Sequence, residues 1–535
     1  MNAEPVSVRV QRIAQEIGGT TIALVIGFGV FIWIQALVNL SLLADDLARI
    51  LPPRSERANG LRLGRWVHYY VNQIAFDIPF AHSFTGTLMV VAFAALALVI
   101  AHKAGLHRSR SLLLMFAALA IANPVIVESI VFKLHHLPIG LGVFMAALTA
   151  LLLPHLDADQ PTPLVHLVIA GAALVISLAS YQGIVPMLVT GLVGVSMIRF
   201  VQSDDPDRVP LRLRPVVEIV ATFFVAAIVY VISFKVTVRI GSDRGSYSDK
   251  YDPAATRLSW SIIKRELDRT YRFWSDTTFT YPQWVKWLTI AVALIALAAS
   301  VRHTLRTVSN RRSQLFGAGY LVAAMVAIHI VPFIILFLRV EPIPRYNVIM
   351  GVNMVPAIAF ALFFVAVVNR RPIETKRRLS IWSMAAVLLI LGTFGTTISR
   401  SLTAVELGQQ RTRSLATRIL SRVEQQPGYL EMLAQGPPTR EVEIVFLGNF
   451  TRPSVRFPPS ETNDGWTTIT SCVGPPCRVI RLADNMSLLS LDGTRFMTTS
   501  RKLKFFEKNP PDMSNWPAPD SVRFIDGVVV VKGTR

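Results

Sequence analysis

Long apolar segments recur along the first 400 residues of this sequence, and they constrain its fold more than any other feature. A helix needs about 20 apolar residues to cross the hydrocarbon core of a bilayer. The sequence therefore predicts an all-α polytopic membrane bundle of about eleven spans, near residues 20–43, 83–101, 112–132, 138–154, 164–180, 183–200, 216–234, 284–301, 315–337, 347–368 and 379–399.

The composition agrees with membrane embedding. Hydrophobic residues make up 52% of the chain and charged residues 16%, and the mean hydropathy is +0.46, beyond what soluble chains show. The net charge of +20 would also suit nucleic acid, but the basic residues cluster in short loops between apolar spans, as in cytoplasmic membrane loops. We therefore predict the lipid bilayer as a partner and no nucleic acid.

The basic loops also predict the orientation. The first apolar segment is too long for a signal-peptide core, so residues 1–19 are expected to be cytoplasmic. Alternate loops are then cytoplasmic, and they hold most of the basic residues: Lys103, Arg108, Arg110, Arg199, Arg208, Arg212, Arg214, Arg302, Arg306, Arg311, Arg312, Arg370, Arg371, Lys376, Arg377 and Arg378. The loop at 157–162 has no positive charge. The odd number of spans places the C-terminus outside the cytoplasm.

The pattern divides the chain into a transmembrane domain at 20–400, with long outer loops at 45–82 and 235–282, and a C-terminal domain at 401–535. Short β-like runs occur at residues 441–447, 467–473, 477–482 and 522–532, which predict a small β-rich soluble domain. Cys472 and Cys477 are the two cysteines of the chain. Outside the cytoplasm they could close a tight disulfide loop, and a free buried pair is the alternative.

The two long outer loops each contain an amphipathic stretch. Trp66, Tyr70 and Ile74 recur at helical spacing, and Leu258, Ile262, Tyr271 and Trp274 recur less regularly. Such helices lie either at the membrane surface or against the bundle.

Ionisable and polar residues at membrane depth are expensive and are functional candidates. Asp45 and Asp46 follow the first span, where a carboxylate could deprotonate an acceptor hydroxyl; a solvated charge pair at a helix end is the alternative. Asn123 and Pro124 interrupt the third span and predict a bend, with Glu128 beside it. The alternative is a structural kink, with Glu128 paired to Lys133.

The other candidates lie at the same, outer ends of the spans. Tyr181 and Gln182 suit stacking on a sugar ring and hydrogen bonding to its hydroxyls, or are an interfacial tyrosine and a turn residue. A guanidinium binds phosphate with two parallel hydrogen bonds, and outer cations could equally bind lipid headgroups. The outer phosphate-binding candidates are Arg65, Lys235, Arg239 and Arg345, and Tyr346 adjoins the last of these.

The sequence predicts no cofactor. His135 and His136 are consecutive and lack the usual spacing of metal ligands, so a divalent metal is allowed but not predicted. Walker A, dinucleotide-binding and zinc-protease motifs are absent from the sequence, which argues against an ATP-driven pump and an intramembrane metalloprotease.

In this order, the Asp-Asp, Gly-Arg-Trp, Asn-Pro with Glu, Tyr-Gln and Arg-Tyr motifs resemble those of the type II serotype-converting glucosyltransferases of bacterial O-antigen modification. The resemblance covers residues 20–400 approximately. It implies a membrane glycosyltransferase with a C-type (GT-C-like) architecture in the bacterial inner membrane, which moves a sugar from a polyprenyl-phosphate donor to an envelope glycan acceptor at the periplasmic face.

Carried onto this chain, the resemblance makes Asp45 or Asp46 the base of an inverting transfer and Arg65 and Arg345 phosphate ligands. It makes Glu128, Tyr181 and Gln182 contacts of the sugar or acceptor, and we expect the same of Asn123 and Tyr346. One alternative is a transporter or flippase of a lipid-linked saccharide, which would need polar residues along a path through both membrane halves. Another is a scaffold whose C-terminal domain binds a partner.

Overall fold

The computed structural model of the protein describes residues 4–39, 64–74, 81–203, 205, 209–240, 260–276, 281–337, 349–435, 441–448, 482–483, 485–490 and 494–533. These residues divide into two compact units, and the chain passes from one to the other between Ser399 and Arg400.

The first unit is helical. Its helices are α1 (Val6–Ile17), α2 (Gly19–Val38), α3 (Trp66–Ile74), α4 (His82–Lys103), α5 (Arg110–Ile121), α6 (Val127–Val131), α7 (His136–Leu152), α8 (Leu164–Ser180), α9 (Ile184–Gln202), α10 (Leu213–Ile240), α11 (Trp260–Ser275), α12 (Gln283–Thr307), α13 (Arg311–Ile330), α14 (Ile334–Phe337), α15 (Met354–Phe363) and the first part of α16 (Ile373–Val423). Within the described ranges, ten helical segments are long and apolar enough to cross a membrane, and α8 is a shorter apolar helix. The predicted all-α polytopic bundle is confirmed.

Local chemistry explains several helix boundaries. Gly18 adopts φ +83°, a conformation that side-chain-bearing residues rarely take, and it separates α1 from α2. Prolines stand directly before α8 and α12 at Pro163 and Pro282, where a missing N–H costs no helical hydrogen bond. The Asn310 side chain accepts a hydrogen bond from the Arg312 amide and caps α13.

The third span is broken where the Asn-Pro pair predicts a bend. Helix α5 ends at Ile121, a 3₁₀ turn follows at Pro124–Ile126, and α6 begins at Val127. The Asn123 side-chain oxygen accepts a hydrogen bond from the Val125 amide at 3.1 Å. A second turn at Lys133–His135 leads into α7, so two short turns interrupt the buried chain between α5 and α7.

Helices α4 and α7 approach closely because glycine lies between them. A Cβ atom placed on Gly140 of α7 would lie 3.1 Å from the Met89 Cα of α4, so a larger residue would force the helices apart. Small residues at such contacts let membrane helices pack backbone to backbone.

Contacts between loops define two ends of the bundle. At the end that we call the basic end, Lys103 donates to the Leu153 carbonyl at 2.7 Å and Arg370 donates to the Val201 carbonyl at 2.5 Å. At the opposite end, Ser83 donates to the Leu37 carbonyl at 2.6 Å. The predicted outer residues that the structure describes lie at this opposite end.

The second unit is a small α/β domain. It contains the last part of α16, followed by α17 (Pro427–Gln435), β1 (Glu441–Leu447), β2 (Arg495–Thr498), α18 (Ser500–Lys508), β3 (Val522–Ile525) and β4 (Val528–Lys532). The strand order is β2-β1-β4-β3, with β1 parallel to both β2 and β4 and β3 antiparallel to β4. The predicted strand at 467–473 and residues 477–481 of the predicted strand at 477–482, with Cys472 and Cys477, lie outside the described residues. Leu482, the last residue of the second of these predictions, is helical and not part of a strand.

A tight hairpin divides the predicted strand at 522–532 into β3 and β4. Asp526 and Gly527 both have positive φ, 49° and 76°, which the favoured two-residue hairpin turn requires. Strand β4 reads as a continuous apolar run and its valines are buried, as expected for a strand covered on both faces. The core on one of these faces includes Ile419, Tyr429 and Val529.

Candidate functional site

The predicted site residues divide into those that the structure describes and those outside its described ranges. Asp45, Asp46, Arg345 and Tyr346 belong to the second group. The described ones are Arg65, Asn123, Glu128, Tyr181, Gln182, Lys235 and Arg239.

Three residues singled out from separate parts of the sequence meet at the opposite end. The Arg65 Nε donates a hydrogen bond to the Gln182 Oε1 at 3.0 Å, and its guanidinium carbon lies 4.2 Å from the centre of the Tyr181 ring. The Gln182 Nε2 donates to the Tyr230 hydroxyl oxygen at 2.7 Å. We call these four residues, Arg65, Tyr181, Gln182 and Tyr230, the arginine cluster.

The backbone beside Arg65 is adapted to this arrangement. Gly64 has φ +69°, and a Cβ atom there would lie 2.7 Å from the Tyr230 hydroxyl oxygen. The next residue along, Trp66, begins α3 and donates through its indole N–H to the Ser233 hydroxyl of α10 at 3.0 Å. Glycine thus lets the chain pass closely over α10, and Trp66 ties α3 to the same helix.

The stretch that contains Trp66, Tyr70 and Ile74 is helical, as their spacing predicts. These three side chains do not together form the face that packs on the bundle. Val67 is buried against Ala179 and Tyr230, whereas Tyr70 and Ile74 are exposed. The helix packs on the bundle through one side and presents aromatic and aliphatic side chains on another.

Histidine and aromatic rings extend the arginine cluster. The His135 ring lies 5.0 Å from His68, 4.9 Å from Phe132 and 6.3 Å from Tyr181, measured between ring centres. His136 has a different role, since its Nε2 lies 2.6 Å from the Ile130 carbonyl oxygen and its Nδ1 lies 3.3 Å from that of His82. The two consecutive histidines therefore face different surroundings.

The broken third span supplies further polar residues. Glu128 and Lys133 are both buried, and Lys133 donates to the Ala36 carbonyl at 2.5 Å. Ala36 lies in the last turn of α2, the helix that leads toward Asp45 and Asp46. Asn123 is fully buried and its oxygen caps the turn after Pro124.

Lys235 and Arg239 lie farther along α10 and are exposed. At about 1.5 Å of rise per residue they stand about 7.5 Å and about 13.5 Å beyond Tyr230 along the helix axis. Among the described contacts, none joins either side chain to the arginine cluster.

Helix α11 is held against the bundle by a buried lysine. Lys286 donates to the carbonyl oxygens of Phe273 and Asp276, so it satisfies the C-terminal end of α11. The fully buried Glu266 accepts hydrogen bonds from Arg265 at 2.8 Å and from Arg269 at 2.9 Å. This amphipathic helix packs on the bundle through the face that contains Glu266, Phe273 and Trp274. Its other face exposes Trp260, Leu267 and Tyr271.

One group in the described part of the chain could hold a metal ion. Glu16, His102 and His107 offer ligand atoms within 4.8 Å of one another. They lie at the basic end, away from the arginine cluster. The His102 Nε2 and the Glu16 carboxylate oxygen are 2.6 Å apart, and this hydrogen bond lowers the pKa of Glu16.

Sequence reasoning missed Tyr230 and His68. Tyr230 lies in an otherwise apolar span and has no polar neighbour in sequence, so nothing local distinguished it from an interfacial aromatic residue. His68 lies in the amphipathic stretch that begins at Trp66, and its position two residues after a predicted site motif was the available signal.

The fold and the polar cluster define a polytopic membrane protein with polar chemistry at one end of a helical bundle. The sequence model of the family described as Glucosyl transferase GtrII matches residues 34–355, about three fifths of the chain. The chain belongs to this glucosyltransferase family, and the predicted resemblance is confirmed. No curated protein and no solved structure matches the chain.

Family membership makes the protein a membrane transferase of glucosyl groups to cell-envelope glycans, with a sugar donor and a glycan acceptor as partners. The matched range includes the whole arginine cluster and the pairs Asp45-Asp46 and Arg345-Tyr346. It leaves out the C-terminal unit.

Proposed function

We propose that the protein transfers a glucosyl group from a polyprenyl-phosphate donor to an envelope glycan at the periplasmic face of the bacterial inner membrane. The observation that carries this proposal is the arginine cluster. It presents a guanidinium at the membrane end, stacked on a tyrosine ring, with an amide and a hydroxyl beside it.

The cluster suits a sugar attached to a phosphate. Arg65 carries a planar guanidinium with several N–H donors, which is the group that binds phosphate oxygens with parallel hydrogen bonds. The Tyr181 ring and the Gln182 amide are suited to a sugar ring and its hydroxyls. Arg345, Lys235 and Arg239 are proposed as additional phosphate-binding cations, and Asn123, Glu128 and Tyr346 as sugar or acceptor contacts.

The reaction is an inverting displacement. The acceptor hydroxyl oxygen forms a bond to the anomeric carbon, and the bond from that carbon to the phosphate oxygen breaks. The hydroxyl proton passes to Asp45 or Asp46, and the polyprenyl phosphate leaves with the bonding electron pair. Arg65 stabilises the negative charge that develops on the phosphate, which is the type of contribution that a prepositioned donor makes to a transition state.

The covalent chain limits how far the proposed base can lie from the end of α2. Helix α2 ends at Val38, and Asp45 follows seven residues later. Seven residues span at most about 25 Å, which is the greatest distance that the chain allows between Val38 and Asp45. Lys133 binds the last turn of α2, close to Val38.

The sidedness rests on charge. The loops of the basic end carry most of the arginines and lysines between the spans, and such loops are normally cytoplasmic. We therefore place the arginine cluster and the C-terminal domain in the periplasm and the N-terminus in the cytoplasm.

The flippase alternative requires a polar path through both halves of the membrane. A cavity between α9 and α10 runs toward the basic end, but its central wall includes Val189, Leu192, Val220 and Phe224. Such a wall suits a hydrocarbon chain and would oppose the passage of a saccharide, so we favour transfer at one face.

The test is a transfer assay with synthetic polyprenyl-phosphate glucose and an envelope glycan acceptor, using purified protein in lipid nanodiscs. The double variant Asp45→Asn, Asp46→Asn should lose transfer by at least about 100-fold, because general-base catalysis contributes 10²–10⁴. Asp268→Asn is the matched control, since Asp268 lies on α11 in an exposed pair with Arg272. Full activity in the double variant would refute the assignment of the base.

A further inference from the structure

A large cavity lies between α9 and α10, on the side of the arginine cluster that faces the basic end. Its volume is about 870 Å³, within the range of about 300–1,000 Å³ typical of ligand pockets. Its upper part begins at Val185, three residues after Gln182, and at Ala227, three residues before Tyr230. The cavity therefore starts about one helical turn from the arginine cluster and extends away from it.

The cavity opens toward lipid. Val220 and Phe224 of α10 line it and are 59% and 64% exposed. Both lie in the central part of a segment apolar enough to cross a membrane. At this depth the surroundings are hydrocarbon and provide no water for hydrogen bonding. A lipid chain is thus the ligand that can both reach this cavity and match its wall.

The mouth of the cavity, at the basic end, carries charges of both signs. Three cations line it, Lys103, Arg199 and Arg212, together with three carboxylates, Asp157, Asp159 and Asp205. The formal sum of these six groups is zero. Burial lowers the pKa of the nearby His155 to about 2, so this ring is neutral and adds no charge.

This balance is unusual for the basic end, where loops are otherwise dominated by arginine and lysine. Asp157 and Asp159 come from the loop at 157–162, which has no positive charge, and Asp205 follows the end of α9. Arg199 binds Asp157 with an N–O distance of 3.1 Å, and Arg212 pairs with Asp159. Lys103 donates to the Leu153 carbonyl, and its ammonium has two further N–H donors.

A mouth with adjacent cations and carboxylates complements a headgroup that itself carries both signs. A phosphate would face Lys103 and the two arginines, and an ammonium would face Asp157 and Asp159. An anionic headgroup without an ammonium would meet the carboxylates unfavourably. The polyprenyl-phosphate donor is also a poor match, because its head has no cation.

We propose that this cavity is a binding site for a zwitterionic aminophospholipid of the phosphatidylethanolamine type, with the headgroup at the charged mouth and an acyl chain between α9 and α10. The site is separate from the proposed glucosyl donor site and does not depend on the proposed function.

The test is native mass spectrometry of the delipidated full-length protein, titrated with phosphatidylethanolamine, phosphatidylglycerol and polyprenyl phosphate. We expect the wild-type protein to retain phosphatidylethanolamine at least about fivefold more strongly than phosphatidylglycerol, as expected for one to two charge contacts at a membrane surface. Equal retention, preferential binding of either anionic lipid, or no retained lipid would overturn the proposal.

Two sets of variants locate the site. Val220→Trp places a large ring in the cavity wall and should reduce phosphatidylethanolamine binding at least about fivefold. This is the effect expected when the ring displaces one or two methylene groups of the acyl chain from the cavity. Val217→Trp is the matched control, one turn away on α10, exposed and not part of the cavity wall, and it should bind normally. Equal binding by both variants would place the lipid elsewhere.

The second set changes the headgroup preference. Asp157→Asn together with Asp159→Asn raises the charge of the mouth by two and should reverse the preference in favour of phosphatidylglycerol. An unchanged preference in a folded double variant would contradict the charge argument. Should this variant not fold, the wild-type comparison and the Val220→Trp pair still decide the proposal.

Discussion

Replacement of Arg65 by alanine should reduce glucosyl transfer more than any other single change in the arginine cluster. The substitution removes a charge-assisted hydrogen bond of 3.0 Å to Gln182 and a guanidinium 4.2 Å from the Tyr181 ring centre. It also removes the proposed partner of the leaving phosphate. The loss of one such prepositioned donor costs about 3–4 kcal/mol, or 10²–10³ in kcat.

Arg65→Lys separates charge from geometry. Lysine keeps the positive charge but lacks the planar group that binds two oxygens at once and stacks on tyrosine. We expect its transfer rate to lie between those of the alanine variant and the wild type, lower than the wild type by about tenfold, which corresponds to about 1.4 kcal/mol. The rates are measured with saturating acceptor and varied polyprenyl-phosphate glucose, after thermal melting has shown that each variant is folded.

The matched control is Arg272→Ala. Arg272 forms an exposed pair with Asp268 at 2.9 Å, and exposed pairs contribute at most about 1 kcal/mol. It should transfer glucose at nearly the wild-type rate. A folded Arg65→Ala variant that keeps more than a third of wild-type activity would refute the proposed role of this side chain.

Three further variants test separate parts of the structure. Tyr230→Phe removes the hydroxyl that accepts from Gln182 at 2.7 Å, and transfer should fall about five- to tenfold, the value of one neutral hydrogen bond; an unchanged rate in the same assay would contradict this. Lys286→Met leaves buried carbonyls without their donor and should lower the free energy of unfolding by about 2–4 kcal/mol. The melting temperature in nanodiscs should therefore fall, and a melting curve equal to that of the wild type would contradict this role of Lys286. In the C-terminal unit, Arg422→Ala removes a guanidinium 4.3 Å from the Trp516 ring centre and two hydrogen bonds of 2.7 Å to backbone carbonyls. The free energy of unfolding should fall by about 2–4 kcal/mol, so tryptophan fluorescence should report unfolding at a lower denaturant concentration. An unshifted midpoint would argue against these contacts.

The sequence was sufficient to predict features that depend on local pattern. Apolar segment length predicted the polytopic bundle, and the Asn123-Pro124 pair predicted the break in the third span, because a proline removes a helical hydrogen bond wherever it falls. Arg65, Tyr181 and Gln182 were singled out because each is polar and stands at the same membrane end.

The contacts among those residues could not be predicted in the same way. Arg65 and Gln182 are 117 positions apart, and Gln182 and Tyr230 are 48 apart. Such pairs form only when the helices pack, so periodicity within one helix does not reveal them. Tyr230 was missed for this reason, and the cavity between α9 and α10 likewise depends on packing.

Turn chemistry explains the remaining difference in the C-terminal unit. Residues 522–532 read as one strand because apolar residues dominate on both sides of Asp526 and Gly527. The Asp-Gly pair is a strong hairpin signal, and it accounts for the two strands that the structure contains.

The most direct test of the proposed donor compares two forms of activated glucose. Purified protein in nanodiscs is given an envelope glycan acceptor and radiolabelled glucose, carried either by polyprenyl phosphate or by a nucleotide. The proposal predicts label on the glycan from polyprenyl-phosphate glucose alone, with one polyprenyl phosphate released for each glucose transferred. Transfer from the nucleotide sugar, or transfer from the lipid donor without release of polyprenyl phosphate, would contradict it.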